Sequence, residues 1–150
     1  SLDRDSYNKV NDYLKEKLES FIKYEFSSGW YIRNDIFAYY LMKEKDKVLS
    51  VIRNIQNQGL KIALWGLGIN GNIMLQFLIK NNIDLFCIID KSTKKQGQKL
   101  GEYIIESPEK MLSKVDVILF TSNKIYEEMK DELKNNRAKL LNIYEIVDIV

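Results

Sequence analysis

Residues 61–72 read KIALWGLGINGN, and this stretch combines three local signals in one order. Four successive apolar residues, 62–65, predict a buried β-strand of the kind found inside parallel sheets. Three glycines in the spacing Gly-x-Gly-x-x-Gly come next, and residues 73–79 are apolar enough for a buried helix. A strand, a glycine turn and a helix in this order are typical of α/β proteins in which the turn cradles a phosphate group.

Each glycine of the turn has a separate predicted role, and an acid follows at a suitable distance. Gly66 permits the tight turn, Gly68 lets the backbone approach a pyrophosphate, and Gly71 lets the helix pack closely on the strand. Asp90 lies 19 residues after Gly71, at the end of a second apolar strand, 85–89. An acid there can accept hydrogen bonds from ribose hydroxyls and disfavours a 2′-phosphate, which predicts NAD in preference to NADP. Alternatively, the turn is retained for packing and the site is degenerate.

The loop that follows Asp90 is basic. Residues 91–100 contain no acid and four lysines, which are Lys91, Lys94, Lys95 and Lys99. These lysines either hold a phosphate, as on a sugar nucleotide, or form an ordinary solvated loop.

Polar residues also follow the fourth predicted strand. Thr121, Ser122 and Asn123 come at the carboxyl edge of that strand, where ligands bind in open α/β sheets. Helix capping explains the same residue types equally well. The candidate cofactor-binding residues are Gly66, Gly68, Asn70, Gly71, Asn72, Asp90, Lys91, Thr121 and Ser122.

Strands and helices alternate through the second part of the chain. Ser107 and Pro108 predict a helix start, with serine as the cap and proline in the first turn. Right-handed crossovers favour a Rossmann-like five-stranded parallel sheet in the order 3-2-1-4-5. The fold class is therefore α/β, with a domain at residues 60–150. Its further predicted elements are strands at 103–105, 115–120 and 141–147 and a helix at 125–135.

Residues 1–58 form a predicted helical N-terminal extension, because their apolar positions recur every three or four residues. A break at residues 27–29 separates two helices, and Asn34 is the predicted cap of the second. Trp30 and Tyr31 lie in the break and suit a core position better than a ligand platform. Gly59 is the predicted stop of the second helix.

Composition excludes several function classes. The 150 residues include no histidine, which removes His-based triads, His general acid–base catalysis and most catalytic zinc sites. One cysteine allows no internal disulfide and fits a reducing, cytoplasmic location. The 23 basic and 21 acidic residues nearly balance, which argues against nucleic acid as a partner. No apolar stretch suits a membrane span or a signal peptide.

Two further residues carry weak chemical signals. Cys87 lies within an apolar strand and is predicted to be core, not a reactive thiol. Tyr126 and Lys130 match the Tyr-x-x-x-Lys spacing of short-chain reductases. With so many tyrosines and lysines, about one such match arises by chance, so the spacing does not indicate a reductase.

Three segments together resemble a known kind of module. They are KIALWGLGINGN at 61–72, CIIDKSTKKQG at 87–97 and IIESPE at 104–109. The set is similar to small Rossmann-like modules of bacterial sugar- and polysaccharide-modifying proteins, in particular the C-terminal domain of sugar C-methyltransferases. A Gly-Asn helix start, an Asp-led loop with Lys-Gln-Gly, and a Ser-Pro-Glu turn occur there in the same order. The resemblance covers about residues 60–135.

The resemblance implies a nucleotide- or nucleotide-sugar-binding accessory module that accompanies a separate catalytic domain or protein partner. NAD or a nucleotide sugar is the implied ligand, and the isolated chain is not expected to be catalytic. Two alternatives remain open at this point. One is a fragment of an NAD-dependent oxidoreductase or epimerase, and the other is a degenerate Rossmann scaffold that binds a protein through its N-terminal helices.

Overall fold

Two helices precede the sheet in the computed structural model, which describes residues 30–147, with side chains from residue 36. Helix α1 spans Trp30–Lys43 and helix α2 spans Lys45–Asn57. Asn34 lies inside α1, so its predicted role as a cap is wrong. The predicted break at 27–29 falls outside the described residues. Gly59 has a φ of +78° just after α2, which confirms the predicted glycine stop.

The remaining elements alternate as an α/β chain. Ser107 caps the short helix α4 by accepting a hydrogen bond from the Lys110 N–H at 3.3 Å, as its position before a proline predicts. The last strand ends at Asn142 and a 3₁₀ turn follows, so the predicted strand at 141–147 is placed too late. The elements are β1 Ile62–Trp65, α3 Ile69–Lys80, β2 Cys87–Ile89, β3 Lys99–Leu100, β4 Tyr103–Glu106, α4 Pro108–Met111, β5 Val117–Phe120, α5 Asn123–Glu132, β6 Lys139–Asn142 and the 3₁₀ turn Ile143–Glu145.

The sheet has six strands in the described part of the chain, in the order β3-β4-β2-β1-β5-β6. Five of them are parallel and follow the predicted arrangement, with β1 at the centre between β2 and β5. The predicted count of five is wrong, because β3 adds an antiparallel strand at the edge. Gly101, with a φ of +62°, starts the two-residue turn that folds β3 onto β4. A strand of two residues has no periodicity to reveal it.

The sheet is covered on both faces, because alternate residues of each strand point to opposite sides. One face packs under the three helices α1, α2 and α3, and the other packs under α4 and α5. Burial on both sides explains the continuous apolar sequence of β1 and β5. Within residues 30–147, no helix combines the length and apolar character needed to cross a membrane.

Candidate functional site

The glycine turn follows β1 at the carboxyl edge of the sheet, and its three glycines differ in their surroundings. Gly66 has a φ of +88°, and its N–H donates to the Ile89 carbonyl at 2.7 Å, which ties the turn to β2. A Cβ built on Gly71 would lie 2.1 Å from the Gly66 carbonyl oxygen. Gly68 is exposed and has nothing within 4 Å of a built Cβ. The positive φ therefore favours glycine at position 66, and the close backbone contact requires it at position 71. Gly68 has neither constraint and leaves open space above the turn.

Helix α3 starts at this turn without a side-chain cap. Gly68 is its N-cap residue and supplies no capping hydrogen bond. The Asn72 side chain instead donates to the carbonyls of Gly68 at 2.9 Å and Leu67 at 3.3 Å, so it braces the turn. The first N–H groups of a helix have no partner within the helix and, without a cap, suit an anion.

Asp90 lies at the end of β2 and holds the glycine turn from the side. One carboxylate oxygen accepts a hydrogen bond from the Leu67 N–H at 2.9 Å, and the other accepts one from the Ser92 N–H at 2.8 Å. The residue is only 9% exposed, so it belongs to the packed interior and not to a solvated strand end. Asp90 thus positions the turn, whatever else it binds.

The basic loop after Asp90 is ordered by its own contacts. The Lys95 ammonium donates to the Leu67 carbonyl at 2.9 Å and lies 3.9 Å from Asp90 Oδ2. The Gln96 side chain donates to the Asp90 carbonyl at 2.8 Å. Lys91 extends away from the turn toward Glu132 on α5, with an N–O distance of 3.6 Å. The predicted site residue Lys91 therefore lies apart from the glycine turn. Lys95, which the sequence indicated only as one lysine of the basic loop, contacts the turn.

The two candidates after β5 occupy different positions. Thr121 is buried, and its Oγ1 lies 3.8 Å from where a Cβ on Gly71 would be. Ser122 caps α5 by accepting a hydrogen bond from the Ile125 N–H at 3.3 Å. Capping explains Ser122 fully, whereas Thr121 belongs to the same cluster as the glycine turn.

Asn70 links this cluster to the end of the chain. Its side-chain amide donates to the Tyr144 hydroxyl at 3.0 Å and to the Thr121 carbonyl at 3.4 Å. The buried Asn142 donates to Asn123 Oδ1 at 2.7 Å and accepts from the Tyr144 N–H at 3.1 Å. Asn142 and Tyr144 are not among the residues predicted for the site, although an asparagine at the carboxyl end of a strand is a signal for this edge of the sheet.

Cys87 is buried in β2, as predicted for a core residue. Burial first, and the nearby Glu106 carboxylate second, raise the pKa of its thiol from 9.0 to about 12. A reactive thiol needs the opposite shift, so Cys87 does not act as a nucleophile near neutral pH.

The raised thiol pKa predicts a loss of stability in alkali. The unfolded thiol ionises near pH 9, whereas the folded thiol keeps its proton until about pH 12. Raising the pH through this window therefore favours the unfolded chain. We expect Cys87 to account for about 1.4 kcal/mol of lost unfolding free energy between pH 8 and pH 10. Urea denaturation of the protein and of Cys87→Ala at both pH values measures this, and equal losses in the two proteins would refute it.

Tyr126 and Lys130 do not form a reductase pair in this structure. Partial burial first, and then a hydrogen bond to the Glu145 carboxylate, raise the pKa of Tyr126 above its ordinary value. The Lys130 ammonium lies 5.8 Å from the centre of the Tyr126 ring and pairs with Glu127 at 3.8 Å. A tyrosine that transfers a proton near neutral pH needs a lowered pKa, so this geometry gives the reductase interpretation no support.

Carboxylates and thiols do not gather into a metal site in the described part of the chain, where no group of three or more His, Cys, Asp or Glu residues is close enough to hold an ion. The polar groups at the turn are amides, hydroxyls, one carboxylate and one ammonium. Such a set suits hydrogen bonding to an organic anion.

The family model described as C2185-like, N-terminal, matches residues 58–143. The chain belongs to this family. No curated protein matches the chain. The C2185-like match contains β1 to β6, and with them the glycine turn, Asp90 and Thr121, while α1 and α2 precede it.

Proposed function

We propose that this chain is a nucleotide- or nucleotide-sugar-binding accessory module of a sugar- or polysaccharide-modifying protein. The observation that carries the proposal is the start of α3, which has no side-chain cap behind an open Gly68. This helix start lies next to the boundary between the parallel strands β1 and β5, on either side of which successive strands are added in opposite directions across the sheet. Ligands of open α/β sheets bind at such a boundary.

The phosphates of the ligand would lie over Gly66–Gly71, facing the helix N–H groups. Lys95 supplies a positive charge beside the turn, and Asn70 and Thr121 line the side toward β5. NAD and nucleotide sugars share the diphosphate that such a turn binds. The sugar-modifying context comes from the resemblance of the three segments, and the family description as an N-terminal domain fits a module joined to another domain.

A second candidate, the degenerate scaffold, is favoured by a specific observation. The polar groups of Asp90, Asn70 and Asn72 all make hydrogen bonds within the protein. A carboxylate can accept about four hydrogen bonds, so Asp90 keeps acceptor capacity for a ribose. The side-chain NH₂ groups of Asn70 and Asn72 each already donate two hydrogen bonds within the protein, so they have less capacity left for a ligand. The two candidates therefore differ in whether the open space at Gly68 receives a ligand.

A thermal-shift panel of NAD, NADP, S-adenosylmethionine, UDP-sugars and dTDP-sugars tests the proposal. A ligand at a hundredfold excess over its Kd stabilises the folded state by about 2.7 kcal/mol, which raises the Tm by about 5–10 °C. Absence of any shift with millimolar ligand would favour the degenerate scaffold.

Gly68→Ala localises the binding. A methyl group there meets nothing in the protein, so the fold should persist, whereas a diphosphate could no longer approach the backbone. We expect the affinity for the ligand found in the panel to fall about tenfold or more, measured by calorimetry. Glu44→Ala is the control and should leave the affinity unchanged. Glu44, like Gly68, is a helix N-cap without a side-chain cap bond, but it belongs to α2 and not to the glycine turn. Equal affinity in Gly68→Ala would place the ligand elsewhere.

A further inference from the structure

The charge of Asp90 is compensated within the protein. Its carboxylate accepts hydrogen bonds from two backbone N–H groups and lies 3.9 Å from the Lys95 ammonium. The Asp90 side chain is only 12% exposed. An acid that rejects a ribose phosphate must present uncompensated negative charge to the ligand. Asp90 does not meet this condition, because one ammonium and two amide dipoles already face it.

Lys95 is the cation that lies beside the Asp90 carboxylate. Its ammonium bridges the Leu67 carbonyl of the turn and the Asp90 carboxylate, and 41% of its side chain remains exposed to solvent. Lys91 points to Glu132, and Lys94 is exposed one residue earlier in the loop. The side chain of Lys95 can therefore contact a ligand while staying next to the acid.

We propose that Lys95 is the specificity-determining residue that lets this site accept a phosphate on the ribose of an adenine nucleotide. The inference rests on the proposed function, because it concerns the ribose end of the same site. Two opposite charges about 4 Å apart near a protein surface attract strongly enough to change affinity by an order of magnitude. With Lys95 present, the pair with Asp90 is neutral, and the added phosphate gains an ammonium partner. Without Lys95, the same phosphate faces the Asp90 carboxylate alone.

Calorimetry with 5′-AMP and adenosine 2′,5′-bisphosphate tests this inference. The native chain should bind the bisphosphate at least as tightly as AMP. In Lys95→Met, the ratio of the bisphosphate Kd to the AMP Kd should rise about tenfold or more, since one favourable ion pair becomes a repulsion. Lys95→Arg should keep the native ratio because it keeps the charge.

Lys94→Met is the matched control, since it removes a lysine from the same loop that does not contact the turn. Its ratio should stay within about twofold of the native value, as expected for an exposed charge. A native chain that prefers AMP by tenfold, or an unchanged ratio in Lys95→Met, would overturn the role of Lys95 and leave the proposed function standing. Binding of uridine or thymidine nucleotides alone would also overturn it. A native chain that binds none of the nucleotides would contradict the proposed function itself.

Discussion

Gly71→Ala is expected to destabilise the folded chain by about 3 kcal/mol or more, toward the upper end of overpacking costs. The new methyl carbon would lie 2.1 Å from the Gly66 carbonyl oxygen, which is backbone and cannot rotate away. Helix α3 or the turn must then shift, although Gly66 is fixed to β2 by its hydrogen bond to Ile89. Urea denaturation followed by circular dichroism gives the change in unfolding free energy.

Gly68→Ala is the natural comparison for this variant, because it adds the same methyl group three residues earlier. Gly68 has a φ of −74° and open space around it. Alanine lowers the entropy of the unfolded chain and is a poorer N-cap, so the net change should stay below about 1 kcal/mol. Similar losses in the two variants would contradict the packing role assigned to Gly71.

Asp90→Ala is expected to cost about 3 kcal/mol or more of stability, because it removes two hydrogen bonds from backbone N–H groups to a charged acceptor. The N–H of the buried Leu67 loses its partner, and so does the N–H of Ser92. From the sequence alone, Asp90 lies at the solvent end of a strand, outside the core, and the fold is expected to survive its removal. The structure buries Asp90 instead, so we expect a large loss of stability.

Asp90→Asn and Asp84→Ala complete the test. Asparagine keeps one oxygen but turns an NH₂ group toward a backbone N–H, so an intermediate loss is expected. Asp84 is exposed just before β2, and its replacement should change the unfolding free energy by less than about 0.5 kcal/mol. A loss below about 1 kcal/mol in Asp90→Ala would show that the turn does not depend on the carboxylate.

The parallel arrangement could be predicted because it depends on local sequence patterns that few other structures can accommodate. Four apolar residues before a glycine turn can hardly form anything but a buried strand, and right-handed crossovers then restrict the order of the parallel strands. Ser107 before Pro108 likewise fixes a helix start through its own chemistry. Asn34 lies within α1 and does not begin it, and β3, with two residues, is too short to carry a periodic pattern.

Residue types and spacing were enough to predict a glycine turn after the first strand and an acid after the second. Their actual partners could not, because those depend on how separate segments meet at the edge of the sheet. Folding places Lys95 on the turn and sends Lys91 to α5, although both belong to one basic loop. It also buries Asp90 and brings Tyr144 to Asn70 across 74 residues of chain. Side-chain direction and burial are properties of the packed sheet, so no pattern within one segment could contain them.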